Sequence, residues 1–188
     1  SSSNFSDTVR GLNAALGPHG LQLLLGDTDY RLEQEELLVR SMLRHQPRCV
    51  ALTGGRHTEA TRTLLQRAGI PVVEMWDLPR DPIDTAVGFS NAAAARAMVR
   101  HLHACGYRRI GLILAHEVYE RSRGTVLGAY LSEQALHPAA DPVTPLFLPM
   151  AQITRTRVQQ WLREQRVDAL ALSSQPLEIC SFLSELGY

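Results

Sequence analysis

Short apolar runs alternate with helix-periodic stretches along the whole chain, one strand–loop–helix unit in roughly every 25–30 residues. The apolar runs are LQLLLGD (21–27), RCVALTGG (48–55), IPVVEMWD (70–77), TAVGFS (85–90), YRRIGLILA (107–115) and VDALALSS (167–174), with a weak strand somewhere in the Pro-rich HPAADPVTPLFLP (137–149). Most of them show little polar alternation, which suits strands covered on both faces. That pattern predicts an α/β chain with parallel sheets and helices on both sides. Ligands of such sheets sit beyond the carboxyl ends of the strands. The positions to watch are therefore Asp27 to Asp29, Thr53 to Arg56, Trp76 and Asp77, His116, and Ser173 to Gln175.

The helices carry their own punctuation. SDTVRGLNAALGPHG (6–20) has an apolar stripe of Val9, Leu12 and Leu16. HTEATRTLLQRAG should start at Thr58 and stop at Gly69, and NAAAARAMVRHLHACG should be capped by Asn91. The helix ERSRGTVLGAYLSEQAL holds Gly124 and Gly128 in its interior. Each costs about 1 kcal/mol against Ala, so close packing at those points is expected. Pro176 suits the first turn of the last helix.

Composition narrows the function. Lys+Arg and Asp+Glu both number 19, every basic residue being Arg, and the arginines form no run. A broad basic face for nucleic acid on this segment is thus excluded. Three cysteines, Cys49, Cys105 and Cys180, lie far apart with no CxxC. They read as buried structural thiols of a reduced, cytoplasmic chain. No run approaches the ~20 apolar residues of a membrane span, and no leader peptide opens the chain. Residues 1–5 read as the end of a strand-to-helix loop, and a further strand is expected after residue 188, as in a piece of a longer chain.

No catalytic set assembles from these residues. Gly54-Gly55 before a helix could hold an anion on its N–H groups, but reads first as a tight turn. There is no GK[ST] and no GxSxG. His101 and His103 face different ways on one helix, so they share no metal, and His57 reads as a first-turn surface residue rather than a base. Asp81 and Asp84 read as solvated charges of a Pro-rich loop. Arg121 and Arg123 suit bidentate capture of a carboxylate or phosphate, against simple surface solvation. Trp76 could stack on a sugar face or pack in a core. No cofactor or metal is expected, and binding is favoured over turnover.

The order GDTDYRLEQEELLVRSML, VALTGGRHTEATRTLLQRAGIPVVEMWDL, DPIDTAVGFSNAAAARAMVRHLHACGYRRIGLI resembles the effector-binding part of the LacI/GalR family of bacterial transcription regulators. HTEATR, IPVVEMWDLP and PIDTAVGFSN are most similar to its gluconate-operon repressor branch. The resemblance spans nearly the whole chain and is strongest from Gly26 to Ile113. It implies two Rossmann-like, periplasmic-binding-protein-like lobes of type I. Residues 1–114 would form the N-terminal lobe, lacking its first strand, and 115–188 an incomplete C-terminal lobe. It also implies a homodimer and a helix-turn-helix headpiece, absent from this sequence, that reaches operator DNA.

By the same resemblance a sugar or sugar-acid effector would meet Asn4 and Phe5; the strand ends add Asp27, Thr53, Trp76 and Gln175, and Arg121 or Arg123 would hold an acid group. SSSNF would be the tail of a strand and the loop after it. Two departures stand out. Thr125 occupies the place where relatives carry an Arg before the glycine matching Gly128, and Ser174-Gln175 stands where they carry Asn-Asp. The leading expectation is therefore the effector and dimerisation part of a transcriptional regulator. The rival readings are a free-standing sugar-binding protein and a doubly wound sugar-phosphate enzyme.

Overall fold

The computed structural model describes residues 3–29, 31–115, 123–137, 142–172 and 177–188. It is an α/β structure with two parallel sheets. Two helices come first, α1 (Ser3–Leu16) and α2 (Leu32–Leu43). The first sheet holds β1 (Val50–Thr53), β2 (Val72–Met75) and β3 (Thr85–Val87) in that order, with α3 (Glu59–Ala68) crossing between the first two. Val50 pairs with Val72, and Val73 with Thr85. Thr58 Oγ1 accepts the Thr61 N–H at 3.0 Å and Gly69 closes α3 in the left-handed region at φ 63°, as the sequence predicts.

The second sheet has the order β5-β4-β6, formed by β4 (Ile110–Ala115), β5 (Leu146–Leu148) and β6 (Ala169–Leu172). It is flanked by α4 (Asn91–Ala104), α5 (Arg123–Ala135), α6 (Arg155–Gln165) and α7 (Leu177–Glu185). The strand β4 is buried on both faces. Ile110, Leu112 and Leu114 pack with Val99, Val126 and Tyr130 of α4 and α5. Ile113 packs with Val158, Trp161 and Phe182 of α6 and α7. Gly111 sits under Trp161, where an added Cβ would come within 2.5 Å of the indole ring. The first sheet has a smaller core of Val39, Val50, Leu52, Leu65 and Val72.

Several expectations need correction. The strand β4, placed before residue 114 with the first lobe, pairs with β5 and β6, and α4 packs on α5 beside it. The run Leu21–Asp27 is apolar but joins no sheet among the described residues. Ser3 to Phe5 form the first turn of α1 rather than the tail of a strand. Ser90, not Asn91, caps α4, its Oγ accepting the Ala93 N–H at 3.1 Å. Among the described residues a Cβ at Gly124 or Gly128 would meet nothing within 4 Å, so neither glycine answers to close packing there. All three cysteines are exposed, because they lie at element ends and on an outer helix face. Pro176 falls outside the described residues.

Candidate functional site

The carboxyl ends of β1, β2 and β3 converge on a tightly built rim. Gly54 takes φ 79°, which only glycine adopts without strain, and its N–H donates to the Met75 carbonyl at 2.7 Å. That N–H is therefore used within the fold, and Gly54-Gly55 is a turn rather than an anion cradle. Gly55 lies against Pro79, where a Cβ would come within 2.8 Å. Trp76 follows β2 directly. It holds φ 69°, in the left-handed region disfavoured for a bulky side chain, and donates its N–H to Val87 at 3.0 Å. Strained backbone of this kind gathers at ligand sites. Gly88 lets β3 pass close by, since a Cβ there would stand 2.5 Å from the backbone of Asp77.

Around this rim the structure brings together part of the expected set. The Phe5 ring meets Trp76 edge to face, with centroids 6.2 Å apart and planes at 83°. Asp77 caps the N–H of Leu78 and accepts from Asn91 at 3.4 Å, tying the rim to the start of α4. Thr53 ends β1, half-buried. Asp27 is exposed and accepts the N–H of Asp29 at 2.9 Å, closing a turn of its own. Asn4 lies in α1, and Arg123 opens α5. Arg121, Gln175, His116 and Ser173-Ser174 lie outside the described residues. Thr125 is an exposed residue of α5. An open cleft of about 430 Å³ between α1 and Leu25 shares Phe5 with this rim and adds Arg10 and Asn13.

The loop 77–84 is strapped down rather than merely solvated. Arg62 reaches Asp81 Oδ2 at 2.9 Å, although the Asp81 side chain stays open to water. Asp84 accepts the N–H of Val72 at 2.9 Å, and Glu74 accepts that of Ile83 at 2.6 Å.

Beneath the rim lies a group that sequence reasoning missed. The His57 side chain is 0% exposed, not on the surface, because its ring turns inward between two carboxylates. Nδ1 stands 2.6 Å from Glu35 on α2, and Nε2 stands 3.2 Å from Glu74 on β2. Both carboxylates are buried as well. The available signal was Glu74 itself, one acid inside the apolar run IPVVEMW at an inward position, which demands a partner. His57 is thus a buried link between α2 and β2 rather than a group on the open rim. Among the described residues no group of three or more His, Cys, Asp or Glu is arranged to hold a metal ion. His101 is exposed and His103 buried, so the two do face apart.

Two parallel-sheet units with a strained aromatic rim at the strand ends define a class: binding domains of the periplasmic-binding-protein-like kind. No family model matches the chain. A LacI family transcriptional regulator from Silicibacter pomeroyi superimposes with a TM-score of 0.85 at 33% identity, over 99% of this chain and 71% of that one. The transcription regulator GntR from Chromobacterium violaceum gives a TM-score of 0.80 at 32% identity, over 98% and 69%. In sequence, the HTH-type transcriptional regulator GntR of Pseudomonas aeruginosa is 40% identical over 109 residues, 58% of this chain. The matched stretch covers 32% of that regulator's length. The chain belongs to the LacI family of transcriptional regulators.

Proposed function

We propose that this chain is the effector-binding and dimerisation part of a DNA-binding transcriptional regulator, and that its effector is a small sugar or sugar acid of the gluconate type. The observation that carries the reading is the Trp76–Phe5 pair at the strand ends, an aromatic wall of the kind that stacks on a sugar ring or chain. Its strained backbone supports a binding role over a packing role. The gluconate-type ligand comes from the branch whose motifs this chain resembles and whose members are among its relatives. Thr53, Asn4 and Asp27 would supply polar groups from the first unit, and Arg121, Arg123 and Gln175 would close on the ligand from the second. With Thr125 in place of the usual Arg, Arg121 and Arg123 nearby are the cations available to an acid.

Such a ligand works by differential affinity. It would bridge the two units in a closed arrangement, make fewer contacts in an open one, and so shift the population between them. In a symmetric dimer that shift moves two helix-turn-helix headpieces against operator half-sites. The apolar stripe of α1 is only half-buried at Val9, Leu12 and Leu16, which leaves area for a second copy. Among the described residues no helix is long and apolar enough to cross a membrane. The protein acts as a cytoplasmic binding protein, without turnover.

Thermal unfolding against a panel of sugar acids and phosphosugars tests the effector class. A true ligand at about 100 times its dissociation constant adds ~2.7 kcal/mol to stability. A midpoint unmoved by gluconate and by its keto and phospho relatives overturns the choice of effector.

A further inference from the structure

We propose that the buried string Glu35–His57–Glu74 is a positioning device that fixes Trp76 at the rim of the effector cleft. The inference rests on the reading of that rim as a binding site.

The string joins three elements: α2, the loop between β1 and α3, and β2. All three side chains are shut off from water, at 0% exposure for His57 and Glu74 and 2% for Glu35. Both ring nitrogens of His57 face carboxylate oxygens. A bare nitrogen lone pair opposite a carboxylate repels it, so each contact requires a proton between the two atoms. At Nδ1 that proton lies in a 2.6 Å hydrogen bond to Glu35. At the other end His57 Nε2 and Glu74 Oε1 stand 3.2 Å apart, and among the described residues neither atom makes a hydrogen bond of good geometry. This end of the string is a close contact rather than a formed hydrogen bond, and the 2.6 Å bond to Glu35 is its firmer link.

The consequence for the cleft follows from position. Glu74 lies two residues before Trp76 on a four-residue strand. Its second oxygen accepts the Ile83 N–H at 2.6 Å, at the far end of the loop that Trp76 begins. One side chain therefore pins both ends of that loop, and His57 fixes this side chain to α2 through Glu35. Trp76 needs such support, because its φ of 69° relaxes unless its surroundings hold it. Three apolar side chains would fill the same space without the desolvation of buried charge. The string is thus an expensive solution for stability and a directional one for geometry.

Fluorine NMR of the full chain labelled with 5-fluorotryptophan tests this. The chain has two tryptophans. Trp161, in the core of the second unit, reports folding, and Trp76 reports the rim. In the triple variant Glu35→Met/His57→Leu/Glu74→Met the Trp161 line should stay in place while the Trp76 line shifts or broadens by more than its own width. Glu74→Gln, whose amide can still meet both partners, should keep the Trp76 line near its wild-type position. An unmoved Trp76 line in the triple variant overturns the proposal. So does collapse of both lines together, which would make the string a device for global stability. Neither readout needs an effector, so a wild-type protein unresponsive to gluconate would sink the effector reading and leave the positioning claim standing.

Discussion

The Glu35 carboxylate and the His57 imidazole meet at 2.6 Å with their side chains 2% and 0% exposed, although 22 residues separate them in the chain. Burial of that kind gives a definite cost for removing either partner. Removing one partner of a buried polar contact typically costs about 1–3 kcal/mol, and more where the remaining group is charged. His57→Leu should lower the stability of the chain by an amount in that range, measured by urea unfolding. A loss below about 1 kcal/mol, the scale of an exposed pair, would mean that the contact is solvent-screened.

Two glycines should respond in opposite directions. At Gly111 a methyl group runs into the Trp161 ring at 2.5 Å and toward Val167 at 3.0 Å, so Gly111→Ala should destabilise by about 1–3 kcal/mol, as overpacking does. At Gly128 an added Cβ meets nothing within 4 Å among the described residues, so Gly128→Ala should stabilise by about 0.5–1 kcal/mol through helix propensity. Thermal midpoints of the two variants check both signs.

Trp76 should separate binding from stability. Its left-handed backbone costs roughly 1–2 kcal/mol for a residue with a Cβ, which glycine avoids. Trp76→Gly should therefore lose affinity for gluconate at least about tenfold, or 1.4 kcal/mol, while losing less stability than removal of a packed aromatic costs. Calorimetric titration and unfolding on the same variant give the two numbers. Unchanged gluconate affinity would remove Trp76 from the site.

Tyr130 gives the chain an alkaline limit. Its hydroxyl donates to the Ile110 carbonyl at 2.7 Å, and burial raises its pKa above the usual 10.0, with the Gln134 hydrogen bond opposing the shift. The folded state holds this proton more tightly than the unfolded chain. The associated stability is complete below the unfolded value and is lost as pH rises through the folded one. Tyr130→Phe should cost about 1 kcal/mol near neutral pH through the lost hydrogen bond. Above about pH 10 the difference from wild type should narrow, because a phenylalanine has no proton to lose.

The repeat of strand and helix was legible because each element carries its own period and punctuation, as Thr58 and Gly69 show around α3. Sheet membership was not legible to the same degree. The run from Ile110 to Ala115 looks like any buried parallel strand, and only its pairing with Ala169–Leu172 assigns it to the second unit. Side-chain direction was harder still. His57 sits in the polar stretch RHTEATR, and its inward turn is decided by two carboxylates that reach it from α2 and β2. Of the site, Trp76 and Phe5 could be read from a strand end and a family resemblance, and the structure joins them. The left-handed backbone of Trp76 left no mark in the sequence, since no glycine or asparagine stands there.

The claim on which the rest depends is that the cleft holds a sugar acid and leaves it unchanged. Carbon-13 NMR of uniformly labelled gluconate incubated with the protein tests both halves at once. The account predicts gluconate lines that broaden or shift in proportion to protein, with no new resonances after prolonged incubation. Lines identical to those of free gluconate, or the growth of product signals, would contradict it.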